Sequence, residues 1–489
     1  MKTRERKNLL AYVVLLLAAS CLVFIASYST SPIYPFYKVD DSAQFQTVGR
    51  EWALGKIPYR DTFDHKGPII FFINMIGYYL TGSATGIVGI QILCLFFSLL
   101  YIFRMSQIAC GRKIYGFFAC LVFVAFLTQI YGEGNKTEEY CLPFICASTF
   151  FQYRYLQKET DKAKEHNLLW AVLYGLTFGV CFLTRVTNAV SICSGVLVIC
   201  VILLVKKKYK NLLLNALSFI AGFLLITIPF LIYFQYYGVL EEFFYATLLY
   251  NIEYEKKMSA WVSNAQVTEW IQYGKLYFTS YTIFFTAIFS FTRKNKNLGI
   301  YCILCGVLET CLYMSGALYT QYAIVTLPQI VLLLNEIVRI SEKDKRTKYG
   351  YGIILLIMTG VCIFLDAKFV VRSVKTYQNN REYVETGYEK LLNRIPEDER
   401  DFFVAYGDNR LKGLYLLEDI SPCYKYFSIQ EWHAKYSEYI KADMIHTFEQ
   451  GNARWILTCG STDNIQRVLD TRYECVEQMG DYSLYRMIE

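Results

Sequence analysis

The side chains best suited to chemistry lie in a charged stretch near the amino terminus. Asp40 and Asp41 open the run "DDSAQFQTVGREW", and "DTFDHKGP" places Asp64, His65 and Lys66 directly before a Gly-Pro pair. A positioned carboxylate can accept a proton from a reacting group, and an ammonium group can stabilise phosphate oxygens. A simpler interpretation makes the aspartates solvated helix caps and the lysine a snorkelling residue at headgroup height.

The elements that must position these residues are apolar segments typical of an integral membrane protein. Of the 489 residues, 54% are hydrophobic and only 19% are charged. The hydrophobic fraction is higher, and the charged fraction lower, than in ordinary soluble domains. Segments of this kind, most of them long enough to cross roughly 30 Å of hydrocarbon, predict about eleven transmembrane helices. The predicted spans are residues 9–28, 86–103, 114–131, 140–153, 168–184, 186–205, 211–240, 276–292, 298–316, 317–334 and 350–365.

Clusters of Lys and Arg predict the orientation of these spans, because basic residues favour the cytoplasmic side. The clusters are at residues 2–7, 104–113, 154–164, 206–210, 293–296 and 343–348. They all lie on one side only if residues 67–80 form an interfacial or re-entrant helix. The first apolar run is long for a signal peptide and no A-x-A site follows it, which favours an uncleaved helix. The amino terminus is then cytoplasmic and the carboxyl terminus is outside.

This topology predicts two domains. A transmembrane domain covers residues 1–371 and has outer loops at 29–67, 131–139 and 235–275. Residues 372–489 form a small soluble extracytoplasmic α/β domain, with strand-like runs "FFVAYG", "YKYFSI", "ARWILTCG" and "YSLYRMI". The fold class is therefore an α-helical polytopic membrane protein with interfacial helices and a carboxyl-terminal α/β domain.

Several function classes find little support in the sequence. Only Cys423, Cys459 and Cys475 lie in the predicted outer domain, and an odd number argues against a disulfide framework. The net charge of +7 comes mostly from the inner loops, so no nucleic-acid partner is expected. The run "GSATG" joins two apolar segments and is a turn rather than a nucleotide-binding loop.

Two features leave alternatives open. Glu309 lies inside a predicted span, where it could pair with a buried cation or line a cavity. The acidic and aromatic loop at residues 238–270 is predicted to be a mobile lid, although amphipathic interface helices have the same composition.

The charged stretch resembles a known group of enzymes. The pattern G-R-x-x-x-x-G-K-x-P-Y-R-D at residues 49–61 and D-H-K-G-P at 64–68 resemble GT-C membrane glycosyltransferases. The closest resemblance is to bacterial members of glycosyltransferase family 39, relatives of protein O-mannosyltransferases and lipid A aminoarabinose transferases. In the order of helices, loops and outer domain, the resemblance covers the whole chain. At the level of sequence motifs, it is confined to residues 40–70 and a few short later segments.

The resemblance implies roles for acidic and basic residues. Asp41 matches the proposed base or acceptor-binding carboxylate, with Asp40 as the second choice. A second acidic site in the next outer turn corresponds to Glu133 or Glu138, of which Glu138 is favoured. The segment "LTRVTN" matches a family position that usually reads L-T-K-G-P, so that Arg185 keeps the basic residue while the Gly-Pro is absent.

The remaining candidate residues are grouped by expected ligand. Candidates for the donor phosphate are Lys66, Arg185 and His65. The substrate loop would also include Asp61, Asp64, Arg50 and Tyr59. Asp41, Asp40 and Glu138 could together hold a divalent ion such as Mg or Mn through oxygen ligands, and no other cofactor is implied.

The resemblance implies a transferase that moves a sugar from a polyprenyl-phosphate donor to a glycan, lipid or protein acceptor on the outer face of the membrane. A transporter or flippase of lipid-linked glycans is the alternative, but it would concentrate ionisable residues in the middle of the membrane. A non-catalytic scaffold whose outer domain binds wall polymer is a third hypothesis.

Overall fold

The protein is described by a computed structural model covering residues 2–157, 165–258, 267–314, 319–341 and 345–488. Most of these residues are helical, and a small sheet lies near the carboxyl terminus. The helices up to residue 380 are α1 (Lys2–Ala26), α2 (Asp40–Ala53), α3 (Pro68–Thr81), α4 (Thr85–Cys110), α5 (Lys113–Ile130), α6 (Thr137–Leu156), α7 (Leu168–Phe182), α8 (Val190–Val205), α9 (Tyr209–Tyr236), α10 (Leu240–Phe244), α11 (Tyr250–Met258), α12 (Val267–Thr292), α13 (Lys296–Met314), α14 (Pro328–Ser341) and α15 (Lys345–Asn380).

The long helices agree with a multi-pass membrane protein. Within the described ranges, seven segments are long and apolar enough to cross a membrane: Leu9–Ala26, Thr85–Cys110, Lys113–Ile130, Val186–Val205, Tyr209–Tyr236, Thr320–Ser341 and Gly352–Asn380. The other four predicted spans coincide with α6, α7, α12 and α13. Every predicted span therefore contains a helix, although residues 315–318 of two of these spans lie outside the described residues.

Helix α3 covers the segment predicted not to cross the membrane. It has 14 residues, and at 1.5 Å per residue it is about 21 Å long, less than the roughly 30 Å of a hydrocarbon core. Pro68 occupies its first turn, and Gly82 ends it with a φ of 66°, a left-handed conformation that glycine adopts without steric cost. The run "GSATG", which was predicted to be a turn, therefore starts with the glycine that ends α3, and its last two residues begin α4.

The chain forms two compact units. The first unit contains Met1–Ser27, Gly89–Leu231 and Trp261–Lys375, which include most of the long helices. The second contains Tyr28–Val88, Ile232–Ala260 and Thr376–Glu489. The domain boundary predicted between residues 371 and 372 falls inside α15. The second unit contains residues of two predicted outer loops together with residues 376–489.

The carboxyl-terminal segment (residues 381–488) contains a four-stranded mixed sheet. Its strands are β1 (Phe403–Gly407), β2 (Trp455–Cys459), β3 (Tyr473–Met479) and β4 (Tyr482–Met487), in the order β1-β2-β4-β3. β1 and β2 are parallel, and the other two pairs are antiparallel. The helices of this segment are α16 (Tyr388–Leu392), α17 (Leu414–Leu417), α18 (Gln430–Tyr436), α19 (Glu438–Glu449) and α20 (Gln466–Arg472).

One strand prediction was wrong and one strand was missed. The run "YKYFSI" is not a strand in the structure; its aromatic rings are buried, and the Tyr424 hydroxyl accepts a hydrogen bond from the Ala453 amide at 3.0 Å. β3 was missed because it is an edge strand in which only Tyr473 is buried. An edge strand of this kind lacks the alternation of apolar residues that identifies a half-buried strand.

The loop predicted to be a lid is helical where it is described. Helix α10 leads into a π-helical turn, Tyr245–Leu249, and then into α11. Residues 259–266 lie outside the described residues. The lid therefore stays a prediction.

Candidate functional site

Two aspartates begin α2, and the second forms an ion pair with the carboxyl-terminal segment. Asp40 has a φ of 57°, a left-handed conformation that aspartate tolerates better than most residues. The Lys412 ammonium donates to Oδ1 of Asp41 at 3.0 Å. The Lys412 side chain is only 5% exposed, whereas that of Asp41 is 45% exposed. The predicted base is thus accessible, and a buried cation holds it.

The far end of α2 is anchored by a second charged network. Arg50 is buried, and its guanidinium donates to the Tyr415 carbonyl at 2.8 Å, to the Ile420 carbonyl and to the Glu51 carboxylate at 2.9 Å. Glu51 also pairs with Lys56 at 2.9 Å. These contacts tie α2 to the carboxyl-terminal segment. The substrate-loop role of Arg50 stays a prediction, but its position is that of an anchor.

The next part of the loop is shaped by hydrogen bonds to the backbone. The Asp61 carboxylate accepts from the Ile57 amide at 2.7 Å and pairs with Arg60 at 2.8 Å. Tyr59 is buried, and its hydroxyl donates to the Lys66 carbonyl at 2.8 Å. Of these two residues predicted in the substrate loop, Asp61 therefore fixes the backbone at Ile57, and Tyr59 fixes the backbone at Lys66.

Asp64, His65 and Lys66 form a compact charged group. The buried Asp64 carboxylate accepts from the Lys66 amide at 2.8 Å and lies 3.7 Å from Nδ1 of His65. Burial raises the pKa of the Asp64 carboxyl to about 6, against the opposing effect of the Lys66 charge. The Lys66 ammonium contacts Nε2 of the His65 ring and is partly exposed. This arrangement positions a cation at the end of the loop.

Aromatic residues from two distant segments surround His65. The centroid of its ring lies 5.4 Å from that of Tyr250, 5.6 Å from that of Trp432 and 6.2 Å from that of Tyr254. The Asn251 amide donates to the His65 carbonyl at 2.9 Å. Asn251 lies two residues after the π-helical turn, and such turns are frequent at functional sites. Sequence reasoning noted the aromatic loop but not Asn251 or Trp432.

His433 is a buried histidine beside this group. Its Nδ1 lies 3.0 Å from the Tyr250 hydroxyl, whereas its Nε2 has no hydrogen-bond partner within the described part of the chain. Burial lowers the pKa of His433 to about 3, and the charges of Lys412 and Lys66 act in the same direction. His433 is therefore neutral at physiological pH.

In the first unit, Arg185 is held between an acid and an aromatic ring. Its guanidinium lies 3.7 Å from the buried Glu138 carboxylate and 3.4 Å from the centroid of the Tyr322 ring. Arginine favours such a position because its planar group can stack on an aromatic face while its N–H groups bind anions. The other acidic candidate, Glu133, pairs with Lys136 at 3.3 Å.

Glu139, which sequence reasoning did not select, organises the same outer turn. Its buried carboxylate accepts hydrogen bonds from the Gln91 amide at 3.1 Å, from the Asn135 backbone amide at 2.9 Å and from the Tyr131 hydroxyl. A buried carboxylate needs such partners. Glu139 therefore positions the turn, and its neighbour Glu138 faces Arg185.

Glu309 is fully buried in α13 and contacts polar neutral groups. Its carboxylate accepts from the Gln329 amide and lies 3.3 Å from the Cys305 thiol. Of the two alternatives left open for Glu309, pairing with a cation is not seen within the described ranges.

The side chains predicted to hold a divalent ion are carboxylates, and two of them have cationic neighbours. Among the described residues, no group of three or more His, Cys, Asp or Glu side chains could hold a metal ion. The carboxylates of Asp41 and Glu138 instead face the cations Lys412 and Arg185. The Mg or Mn ion suggested for Asp41, Asp40 and Glu138 stays a prediction.

Comparisons with known proteins agree with this architecture. Residues 1–371 match the family model described as "Putative competence-induced protein Ccs4 N-terminal domain". A comparison with curated proteins finds no match. The crystal structure of ArnT from Cupriavidus metallidurans bound to undecaprenyl phosphate is similar, with a TM-score of 0.58 and 14% identity over 97% of this chain and 98% of that one. This match confirms the predicted GT-C-like fold.

Two structures from Archaeoglobus fulgidus are also similar. The oligosaccharyltransferase AglB in complex with an inhibitory peptide and a dolichol-phosphate has a TM-score of 0.49 and 12% identity, over 92% of this chain and 69% of that one. An oligosaccharyltransferase complex with Zn and sulfate has a TM-score of 0.47 and 11% identity, over 91% and 68%.

Proposed function

The chain belongs to the family of the Ccs4 N-terminal domain, and we propose that it is a membrane glycosyltransferase that uses a polyprenyl-phosphate-linked sugar. One observation carries this proposal. A fold that resembles undecaprenyl phosphate-bound ArnT has an accessible carboxylate, Asp41, in the same compact unit as the partly exposed cation Lys66. A carboxylate and a cation are the groups that transfer from a sugar phosphate requires.

In the proposed reaction, the acceptor is a glycan, a lipid or a protein that presents a hydroxyl group. Asp41 takes the proton of this hydroxyl as its oxygen attacks the anomeric carbon of the donor. A bond forms between the acceptor oxygen and that carbon, and the bond between the carbon and the phosphate oxygen breaks. The polyprenyl phosphate departs with the bonding electrons. Lys66, which lies in the same unit as Asp41, is the proposed partner of the charge that grows on this phosphate, and the same role for Arg185 stays a prediction from the resemblance.

The proposed reaction takes place on the outer face of the membrane. The basic clusters favour a cytoplasmic amino terminus. This orientation would put the first predicted outer loop (residues 29–67, the charged loop) and the carboxyl-terminal segment outside. No pool of nucleotide sugars exists there, so a lipid-linked donor is the appropriate substrate class.

The function is tested by incubating purified protein in detergent with labelled undecaprenyl-phosphate-linked hexoses and pentoses and a cell-envelope acceptor fraction. We expect loss of at least one donor and release of undecaprenyl phosphate, both measured by thin-layer chromatography. Asp41→Asn protein prepared in parallel is the control for contaminating enzymes. If vesicles containing the protein move a lipid-linked glycan across the bilayer and leave every donor intact, the protein is a flippase instead.

The outward orientation is tested with two cysteines of the sheet that differ in exposure. Cys475 is exposed, whereas Cys459 is buried. We expect a membrane-impermeant maleimide to label Cys475 in intact cells, and we expect Cys475→Ser to lose that label while Cys459→Ser retains it. Peptide mass spectrometry identifies the labelled residue. Labelling of Cys475 only after permeabilisation would contradict the orientation and the proposed side of the reaction.

A further inference from the structure

The carboxyl-terminal segment contacts the charged loop along most of the loop's length. The Lys425 carbonyl accepts from the Phe63 amide at 2.8 Å, and the Pro422 carbonyl accepts from the Lys56 ammonium at 2.9 Å. At the other end, Gly413 packs so closely that a Cβ there would lie 1.8 Å from the carbonyl oxygen of Lys38. Only glycine allows this approach, which places residue 412 at the start of α2.

Lys412 uses this placement to reach Asp41. Its side chain is almost fully buried, and its ammonium lies 3.0 Å from the Asp41 carboxylate. A buried ammonium is costly without a partner, so the pair is a built feature of the second unit. The Arg50 network fixes the other end of α2. Both ends of the helix that carries Asp41 are therefore held by the same segment.

We propose that Lys412 is a positioning residue of the transfer site and that the carboxyl-terminal segment completes this site by supplying it. An ammonium on one carboxylate oxygen restricts rotation of the carboxylate that is proposed to accept the proton. Lys412 lies outside residues 1–371, the part that matches the family model. This inference rests on the proposed function and gives the carboxyl-terminal segment a part in it.

A positioning role differs measurably from direct binding of the donor phosphate. A residue that acts through Asp41 affects the chemical step, so its loss lowers kcat. A cation that only binds the donor affects its apparent KM instead. The loss of a positioning residue also has little further effect once Asp41 itself has been replaced, because groups that act as a unit are non-additive.

The test compares Lys412→Met with the matched control Lys425→Met. Lys425 belongs to the same segment and pairs with Asp443 at 3.2 Å, and its contact with Phe63 uses only the backbone. We expect Lys412→Met to lower kcat roughly 5- to 50-fold, within the roughly 2- to 150-fold that corresponds to coupling between contacting groups, with donor KM within about twofold. Lys412→Arg should recover part of the loss, and Lys425→Met should resemble the wild-type protein. The double variant Asp41→Asn/Lys412→Met should be no slower than Asp41→Asn.

Four results would overturn the inference. The first is that Lys412→Met and Lys425→Met have equal kcat values, and the second is that Lys412→Met changes only the donor KM. The third is that the two losses multiply in the double variant Asp41→Asn/Lys412→Met. The fourth is that Lys412→Arg recovers none of the lost activity. Failure of the proposed function is distinct, because the wild-type protein would then consume no donor. In that case unfolding temperatures still test the ion pair: additive losses from Asp41→Ala, Lys412→Met and their combination would overturn it.

Discussion

Replacing Asp41 by asparagine should lower kcat for sugar transfer by roughly 10²- to 10⁴-fold, the usual contribution of a general base. The asparagine amide cannot accept the proton, so the acceptor hydroxyl must attack without assistance. Folding should change little, because the Asp41 side chain is nearly half exposed and the asparagine oxygen can still accept the hydrogen bond of Lys412. Initial rates at saturating donor and acceptor, normalised to monodisperse protein, measure the loss.

Asp40→Asn is the matched control for this variant. Asp40 also lies in the first turn of α2, where either carboxylate is favourable at the positive end of the helix dipole. We expect Asp40→Asn to reduce kcat far less than Asp41→Asn does. Equal and mild losses in the two variants would mean that both aspartates serve the helix terminus, and Asp41 would no longer be the base.

Alanine at Lys66 or at Arg185 should lower kcat/KM for the donor by roughly 10- to 100-fold, as expected for loss of a hydrogen bond to a charged group. Contact with the phosphate in the transition state should lower kcat, whereas contact in the ground state alone should raise donor KM. Lys66→Arg should not fully restore activity, because a planar guanidinium and a compact ammonium present their donors differently. Kinetics at varied donor concentration distinguish these cases.

Lys368→Ala serves as the control for simple membrane anchoring. Lys368 is an exposed cation in α15, and we expect its loss to leave the donor constants unchanged. If Lys66 or Arg185 only snorkels, Lys/Arg exchange is tolerated and the inserted fraction of the alanine variant keeps normal kinetics. Unchanged constants in both alanine variants would remove the phosphate contacts from the proposed mechanism.

The order and approximate positions of the helices could be predicted from the sequence, because hydropathy and charge can be read from short stretches of the chain. Apolar runs located the helices, and β1, β2 and β4 fall within strand-like runs. The contact between Asp41 and Lys412 joins residues 371 positions apart. A single lysine in "NRLKGLY" carries no periodicity or motif, so only the tertiary structure could identify it.

The motif residues also serve different purposes that their spacing could not separate. Lys66 ends the loop with a partly exposed ammonium, whereas Tyr59 is buried and holds the Lys66 backbone. Arg50, from the same motif, is buried against backbone carbonyls. The motif identifies the residue types but not their roles. The burial of Tyr59 and Arg50 in the structure shows that these two residues position the others. The same holds for Glu139, whose partners come from α4 and from the turn before α6.

The anchoring of Arg50 has a consequence for how the protein is made. Three of its acceptors, the Tyr415 and Ile420 carbonyls and the Asp419 carboxylate, belong to the carboxyl-terminal segment. Tyr415 leaves the ribosome 365 residues after Arg50, a delay of about 20–75 s at ordinary translation rates of 5–20 residues per second. Throughout that interval α2 carries a guanidinium without these partners. The nascent chain therefore reaches its mature first loop only after residues 415–420 have been synthesised, and a chain that ends after α15 never does.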